Sequence, residues 1–273
     1  DHNPTAYTVE TEPFTLRNPA KPGYTFAGWT EGDGTAAQET VTIPQGTTGN
    51  KTYTAHWTLN DFMVTLSASK TEVTYGEAIT LTAVPNHDAG DLDYTYAWYK
   101  DDSATPITGE TKSSLTLTDV ADSGSYQVKV IAAAGDDTKT AFSTAVAVKI
   151  KHKEISATWS GLTQVYDDDT AVQVTLSGVV DGDQVTARVN ETVPSKAGTH
   201  KLTANLTGTD AANYTLKNGK ATLTIQHKPV VFTVTDNVTA ADNVILPTIS
   251  APGLDDEDYE VIYKDEDGKA LAG

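Results

Sequence analysis

The sequence predicts an all-β protein assembled from tandem small domains, and three observations carry that reading. Apolar and polar residues alternate with period two in runs such as Ser114-Leu115-Thr116-Leu117-Thr118, Tyr126-Gln127-Val128-Lys129-Val130 and Ala221-Thr222-Leu223-Thr224-Ile225, which places the apolar side chains of each run on one face. Thr and Val are abundant, and such β-branched residues suit a pleated, half-buried surface. Turn signals, among them Gly32-Asp33-Gly34, Asp181-Gly182-Asp183 and Asn218-Gly219, punctuate the strands. No amphipathic stretch of useful helical length interrupts the pattern.

Composition narrows the partners. Hydrophobic residues make up 38% of the 273 positions, below the ~45–50% of average globular chains. Several modules with thin cores fit that fraction better than one large core, because small domains bury less of their surface. With 37 acidic and 19 basic side chains the formal charge is −18, a field that repels nucleic acid phosphates and anionic lipid headgroups. Cysteine is absent, which removes disulfides, thiolate metal sites and a Cys nucleophile. No apolar run reaches the ~18–20 residues of a spanning helix, and residue 1 begins no signal peptide. The expectation is a monomeric segment of a longer chain.

Two junctions share a design. Val148-Lys149-Ile150-Lys151-His152-Lys153 and Leu223-Thr224-Ile225-Gln226-His227-Lys228 each end an alternating strand with His-Lys before a new hydrophobic run, and a further boundary falls near Leu59-Asn60-Asp61. The predicted domains are therefore 1–60, 61–150, 151–228 and 229–273, the last an incomplete start of another β repeat, since its length lies near the lower limit for independent folding. The junctions lack Gly/Ser stretches, so an elongated, semi-rigid string is expected rather than freely tumbling beads.

In the first segment, Asn18-Pro19 and Lys21-Pro22-Gly23 form a turn, and Tyr24, Phe26 and Trp29 then enter a strand. Gly28 would let another backbone approach closely. Ile43, Tyr53, Ala55 and Trp57 are natural packing partners. The run Lys21-Pro22-Gly23-Tyr24-Thr25-Phe26-Ala27-Gly28-Trp29, followed by Tyr53-Thr54-Ala55-His56-Trp57, resembles the Listeria–Bacteroides (internalin B-type) surface repeat. That resemblance implies a β-grasp-like module outside a bacterium. The family pattern begins with a further strand, so the chain is expected to start inside the repeat. Trp29 and Trp57 are either a sugar-stacking platform or the core of a very small domain, and the core reading is favoured because aromatics dominate thin cores.

The second segment places Trp98 within Tyr96-Ala97-Trp98-Tyr99 and a tyrosine within Asp122-Ser123-Gly124-Ser125-Tyr126. It resembles an immunoglobulin-like sandwich, whose strand C carries a core Trp and whose D-x-G-x-Y turn sets a tyrosine corner. The resemblance puts Leu81 and Val128 at the positions of the usual disulfide. The third segment carries Val165-Tyr166-Asp167-Asp168-Asp169-Thr170, Ala197-Gly198-Thr199 and Thr209-Asp210-Ala211-Ala212-Asn213-Tyr214-Thr215-Leu216. It resembles the YDG/MBG-type repeat of bacterial adhesins, a further β-sandwich-like module, with Asp168 and Asp169 lengthening the turn. The tail, through Tyr259-Glu260-Val261-Ile262-Tyr263-Lys264-Asp265, resembles the first half of a related repeat.

Chemistry-bearing patterns are sparse. Asp167-Asp168-Asp169, Asp255-Asp256-Glu257-Asp258 and Asp265-Glu266-Asp267-Gly268 offer oxygen ligands to Ca²⁺, and Asp255, Asp256, Glu257 and Asp258 are the best of these. None has the spacing of a calcium loop, and acidic turn clusters are more often solvated hairpin loops. The six histidines show no zinc spacing. No nucleophile elbow, S-x-x-K motif or phosphate-binding glycine loop occurs, so no catalytic or cofactor-binding residue is assigned and the chain is not expected to be an enzyme. The N-x-T sequons at Asn50, Asn190, Asn205, Asn213 and Asn237 follow by chance from Thr-rich strands. The surface-protein resemblance also raises a Lys–Asn isopeptide crosslink as a substitute for disulfides, with no residues assigned.

The expected function is a non-catalytic extracellular stalk or adhesin segment of a bacterial surface protein, spacing or presenting binding regions for a host, matrix or glycan ligand. The alternative is a set of carbohydrate-binding accessory modules of an extracellular polysaccharide-acting enzyme. That alternative needs Tyr94, Tyr96, Tyr99 or Trp159 exposed on a sheet face. By period, Tyr94, Tyr96 and Trp98 share a face that the core Trp should bury, and Tyr99 points the other way.

Overall fold

The alternating runs become strands in a computed structural model that describes residues 3–87, 90, 92–228, 264 and 267–269. The described residues are all-β, broken only by single 3-10 turns at Val120–Asp122 and Ala211–Asn213. They divide into two compact units between Lys151 and His152. Asp255, Asp256, Glu257 and Asp258, and the tail resemblance around Tyr259, lie outside the described residues.

The first unit opens with β1 (Phe14–Thr15), β2 (Tyr24–Glu31), β3 (Thr42–Ile43) and β4 (Tyr53–Leu59). β1 pairs with β3 and β2 with β4, both antiparallel. A bulge between Phe26 and Gly28 shifts the β2–β4 register, and a bulge of this kind sharpens local twist. It lets Trp29 exchange both main-chain hydrogen bonds with Gln38, at 2.8 and 2.9 Å. Trp29, Val41 and Ile43 form the buried cluster, with Phe14, Leu16, Phe26, Tyr53 and Ala55 around it.

The same unit continues with β5 (Val64–Ala68), β6 (Glu72–Thr74), β7 (Ile79–Pro85), β8 (Asp93–Lys100), β9 (Ser114–Leu117), β10 (Gly124–Ala134), β11 (Asp137–Phe142) and β12 (Val146–Lys151). One sheet has the order β5-β7-β9. In the other, β10 carries β8 along one edge, while β12 and then β11 follow one another along the opposite edge. β6 joins β12 in parallel and forms an outer edge of the sheet. Between β11 and β12 one extra residue enters, and Ser143 bridges the gap: its N–H donates to the Val128 carbonyl at 3.0 Å, and the Val128 N–H donates to its Oγ at 3.1 Å. A buried hydroxyl thus replaces a ladder carbonyl, as the need to pair buried main-chain groups requires.

The two sheets share one core in which Ile79, Leu81, Trp98, Val128 and Val130 are fully buried. Leu81 and Val128, which the immunoglobulin resemblance puts at the positions of a disulfide, are both at 0% exposure among the apolar residues of that cluster.

The second unit contains β13 (Lys153–Ser160), β14 (Thr163–Val165), β15 (Gln173–Ser177), β16 (Thr186–Val189), β17 (Gly198–Thr207), β18 (Tyr214–Lys217) and β19 (Lys220–Gln226). Its sheets have the orders β15-β13-β18 and β14-β19-β17-β16. β13–β18 and β14–β19 are parallel pairs, and the other pairings are antiparallel. Leu202, Leu223 and Ile225 of the second sheet bury against Trp159 of the first, with Leu162, Tyr166 and Val172 alongside.

Candidate functional site

Most aromatic residues are consumed by the cores. Trp29 is 8% exposed, donates its Nε1–H to Asn18 Oδ1 at 3.0 Å and meets Phe26 edge-on, as does Trp57. Burial and these contacts favour the core reading of Trp29, while Trp57 is half-buried and meets Phe26 at the edge of that cluster. Trp98 donates Nε1–H to the Lys112 carbonyl at 2.9 Å, and Trp159 donates to the Asn218 carbonyl at 2.9 Å. Tyr94 and Tyr96 pack half-buried against the β5–β12 core, and burial pushes both phenols above their usual pKa. Tyr126 closes the corner: its hydroxyl donates to the Asp122 carbonyl at 2.6 Å. Burial, then the carboxylates of Asp122 and Asp101, raise its pKa strongly.

Tyr99 alone of the β8 aromatics turns outward, because period two sets it opposite Trp98. On this outer face Tyr99 registers with Gln127, Ala97 with Lys129, and Lys129 with Phe142. The Tyr99 and Phe142 rings lie 6.1 Å apart at 46°, and Phe142 is 58% exposed. Ile131 continues the strip between Thr95 and Thr140. Among these positions Lys129 is the one charged side chain. The strip can stack on an apolar or ring-shaped surface and offers hydroxyl and amide contacts at its sides, but it holds no acid–base pair. Phe142 escaped the sequence reading because its strand, Asp137–Phe142, alternates only weakly.

Several of the acidic and histidine candidates among the described residues are occupied locally. Asp168 Oδ1 accepts from the Thr170 N–H at 3.0 Å and from its hydroxyl at 2.8 Å, which is an Asx turn. Asp167 pairs with Lys228 at 3.1 Å. Behind this loop the buried Gln164 amide donates to the Gly161 and Thr170 carbonyls, both at 2.8 Å, a role no motif announced. Asp183 accepts from the Tyr214 hydroxyl, whose pKa rises through burial and that bond. His56 lies 2.8 Å from Thr30 Oγ1, His87 3.1 Å from the Asn60 carbonyl and His200 2.8 Å from the Lys196 carbonyl. Among the described residues no group of three or more His, Asp or Glu side chains assembles a metal site.

The decisive comparison falls on the second unit, where Tyr166, the Asp167–Asp169 loop and the Asn213-Tyr214 turn have just been placed. Residues 155–224 match the family model of the MBG domain (YGX type). The MBG-like segment therefore spans β13 to β19 almost entirely. No curated protein matches the chain. Solved structures similar to it include murine CEACAM1b, at 13% identity over 60% of this chain and 98% of that one, with a TM-score of 0.23. Three N-terminal domains of the bacteriophage RB49 Highly Immunogenic Outer Capsid protein match at 13% identity over 79% and 94%, with a TM-score of 0.27. The ectodomain of mouse nectin-like molecule 4 matches at 11% over 82% and 98%, with a TM-score of 0.22. No helix among the described residues is long and apolar enough to cross a membrane.

Proposed function

We propose that this chain is a non-catalytic extracellular segment of a bacterial surface protein, acting as an adhesin-type stalk that spaces or presents binding regions. The observation that carries the reading is the succession of an immunoglobulin-like sandwich, with its buried Trp98 and Tyr126 corner, and an MBG-like segment at 155–224. The first segment is read as a Listeria–Bacteroides-type repeat, on the motif ending Gly28-Trp29. A surface of charge −18 favours solubility and leaves basic or neutral partners.

The test is topological. Antibodies against residues 61–228 should label intact cells of the source bacterium, and brief protease treatment of those cells should remove the epitope. Labelling only after lysis overturns the reading. A hydrolase screen with ester, glycoside and peptide substrates should show no turnover.

One observation favours a second reading, carbohydrate-binding accessory modules: the outward Tyr99–Phe142 pair. It requires glycan-array signals that vanish in Phe142→Ala. An array without signals retires it.

A further inference from the structure

The β1–β4 region encloses a cleft of about 450 Å³, within the range of small-molecule sites, about 300–1,000 Å³. Trp29 and Ile43 line it, Tyr53 adds an aromatic wall, and Gln38 faces it from the segment bridged to Trp29. Glu31 and Lys51 also line it, with Lys51 Nζ 2.5 Å from Glu31 Oε1. Burial, and next the Glu31 carboxylate, hold the Tyr53 phenol above its usual pKa. The cleft therefore combines apolar ring surface with a paired acceptor and donor.

We infer that this cleft binds a neutral hexopyranose unit of a glycan. Glu31 and Lys51 cancel each other's charge, so the site has no local field that selects an ion, and the chain's net −18 disfavours anions at longer range. A purely apolar ligand would strip water from the ion pair without replacing its hydrogen bonds, which is costly. A pyranose avoids both penalties. Neighbouring hydroxyls donate to the Glu31 carboxylate and accept from the Lys51 ammonium, while the C–H face of the ring rests on the half-buried Tyr53. Convergent polar groups of this kind are how small-molecule sites fix a ligand's orientation. The inference goes beyond the stalk reading and does not depend on where the chain resides.

The experiment titrates the whole 273-residue chain, observed by amide and aromatic NMR, with methyl glucoside, methyl galactoside, N-acetylglucosamine, methyl glucuronoside and cyclohexanol. At least one neutral sugar should give saturable shifts centred on Glu31, Lys51 and Tyr53. Glu31→Gln and Lys51→Gln should each weaken that binding about tenfold or more, the usual loss for a hydrogen bond to a charged group, with the remaining spectrum unchanged. Phe142→Ala should bind as the parent does. The inference is overturned if no neutral sugar saturates, if the glucuronoside or cyclohexanol binds at least as well, or if the shifts map to Tyr99 and Phe142. The last outcome would support the second reading above while removing this one.

Discussion

Gly28 and Gln38 touch backbone to backbone: a Cβ built on Gly28 would lie 3.0 Å from the N, C and O atoms of Gln38. Gly28 also sits at φ +127°, a region L side chains avoid. The two facts share one cause. The bulge after Phe26 lets Trp29 pair with Gln38 and sink its ring into the core, and the chain can cross there only where no side chain stands between.

Gly28→Ala should therefore destabilise the first unit by about 2–4 kcal/mol, combining backbone strain with overpacking. Gly46→Ala is the control. It also has positive φ, at 84°, but open space around it, so its cost should stay near 1–2 kcal/mol. Urea unfolding followed by tryptophan fluorescence reads both.

Leu81 and Val128 are fully buried in the apolar core of the first unit. Leu81→Ala should cost about 2–5 kcal/mol, and Ser143→Ala, which strips the buried acceptor from the Val128 N–H, about 1–3 kcal/mol. Both should lower the urea midpoint of the same transition.

Tyr126 sets an alkaline limit. Its folded pKa stands above the unfolded value of about 10, so the unfolded state ionises first. Its contribution is complete below pH ~10 and declines as pH rises from there toward the folded pKa. Tyr126→Phe should flatten that decline while costing about 1–2 kcal/mol at neutral pH through the lost bond to Asp122. Stability measured between pH 8 and 11 checks the sign.

Glu72 reports on the β6–β12 pair. A hydrogen bond and the charge of Lys151, 2.7 Å away, hold its carboxyl below the usual range. Lys151→Met should raise its titration toward that of an ordinary glutamate, with Lys149 still holding it slightly down, seen by carboxyl-carbon NMR. Because both side chains are about half exposed, the global unfolding midpoint should barely move.

Gln164 holds the acidic loop of the second unit from beneath. Gln164→Leu leaves the Gly161 and Thr170 carbonyls without their amide donor, and should cost about 1–3 kcal/mol. Amide exchange at Thr170 should quicken more than exchange in β19.

Where burial follows a simple period, the sequence was readable. Tyr94, Tyr96 and Trp98 faced inward and Tyr99 outward as alternation required, and the D-x-G-x-Y turn put the Tyr126 hydroxyl on Asp122. Gly28 was legible because a glycine within a strand signals close backbone approach. Most of the unread features are long-range. Nothing local says that Ser143 will meet Val128 or that β14 will pair with β19 in parallel, since each depends on residues far apart in the chain. Gln164 has near neighbours as partners, Gly161 and Thr170, and was missed because no motif marks an amide that turns back into its own loop. The cleft beside Tyr53 was illegible for the same reason: Glu31 and Lys51 meet only once β2 and β4 have paired.

The parallel ladders have a mechanical meaning. In the first unit β6 lies near the start of the sandwich and β12 at its end, side by side and pointing the same way; in the second unit β14 and β19 repeat the arrangement. Tension applied through the chain draws such strands past each other along their own axes. Their hydrogen bonds are then loaded together in shear rather than peeled one at a time, so these two ladders should hold under stretching longer than an antiparallel edge opened bond by bond.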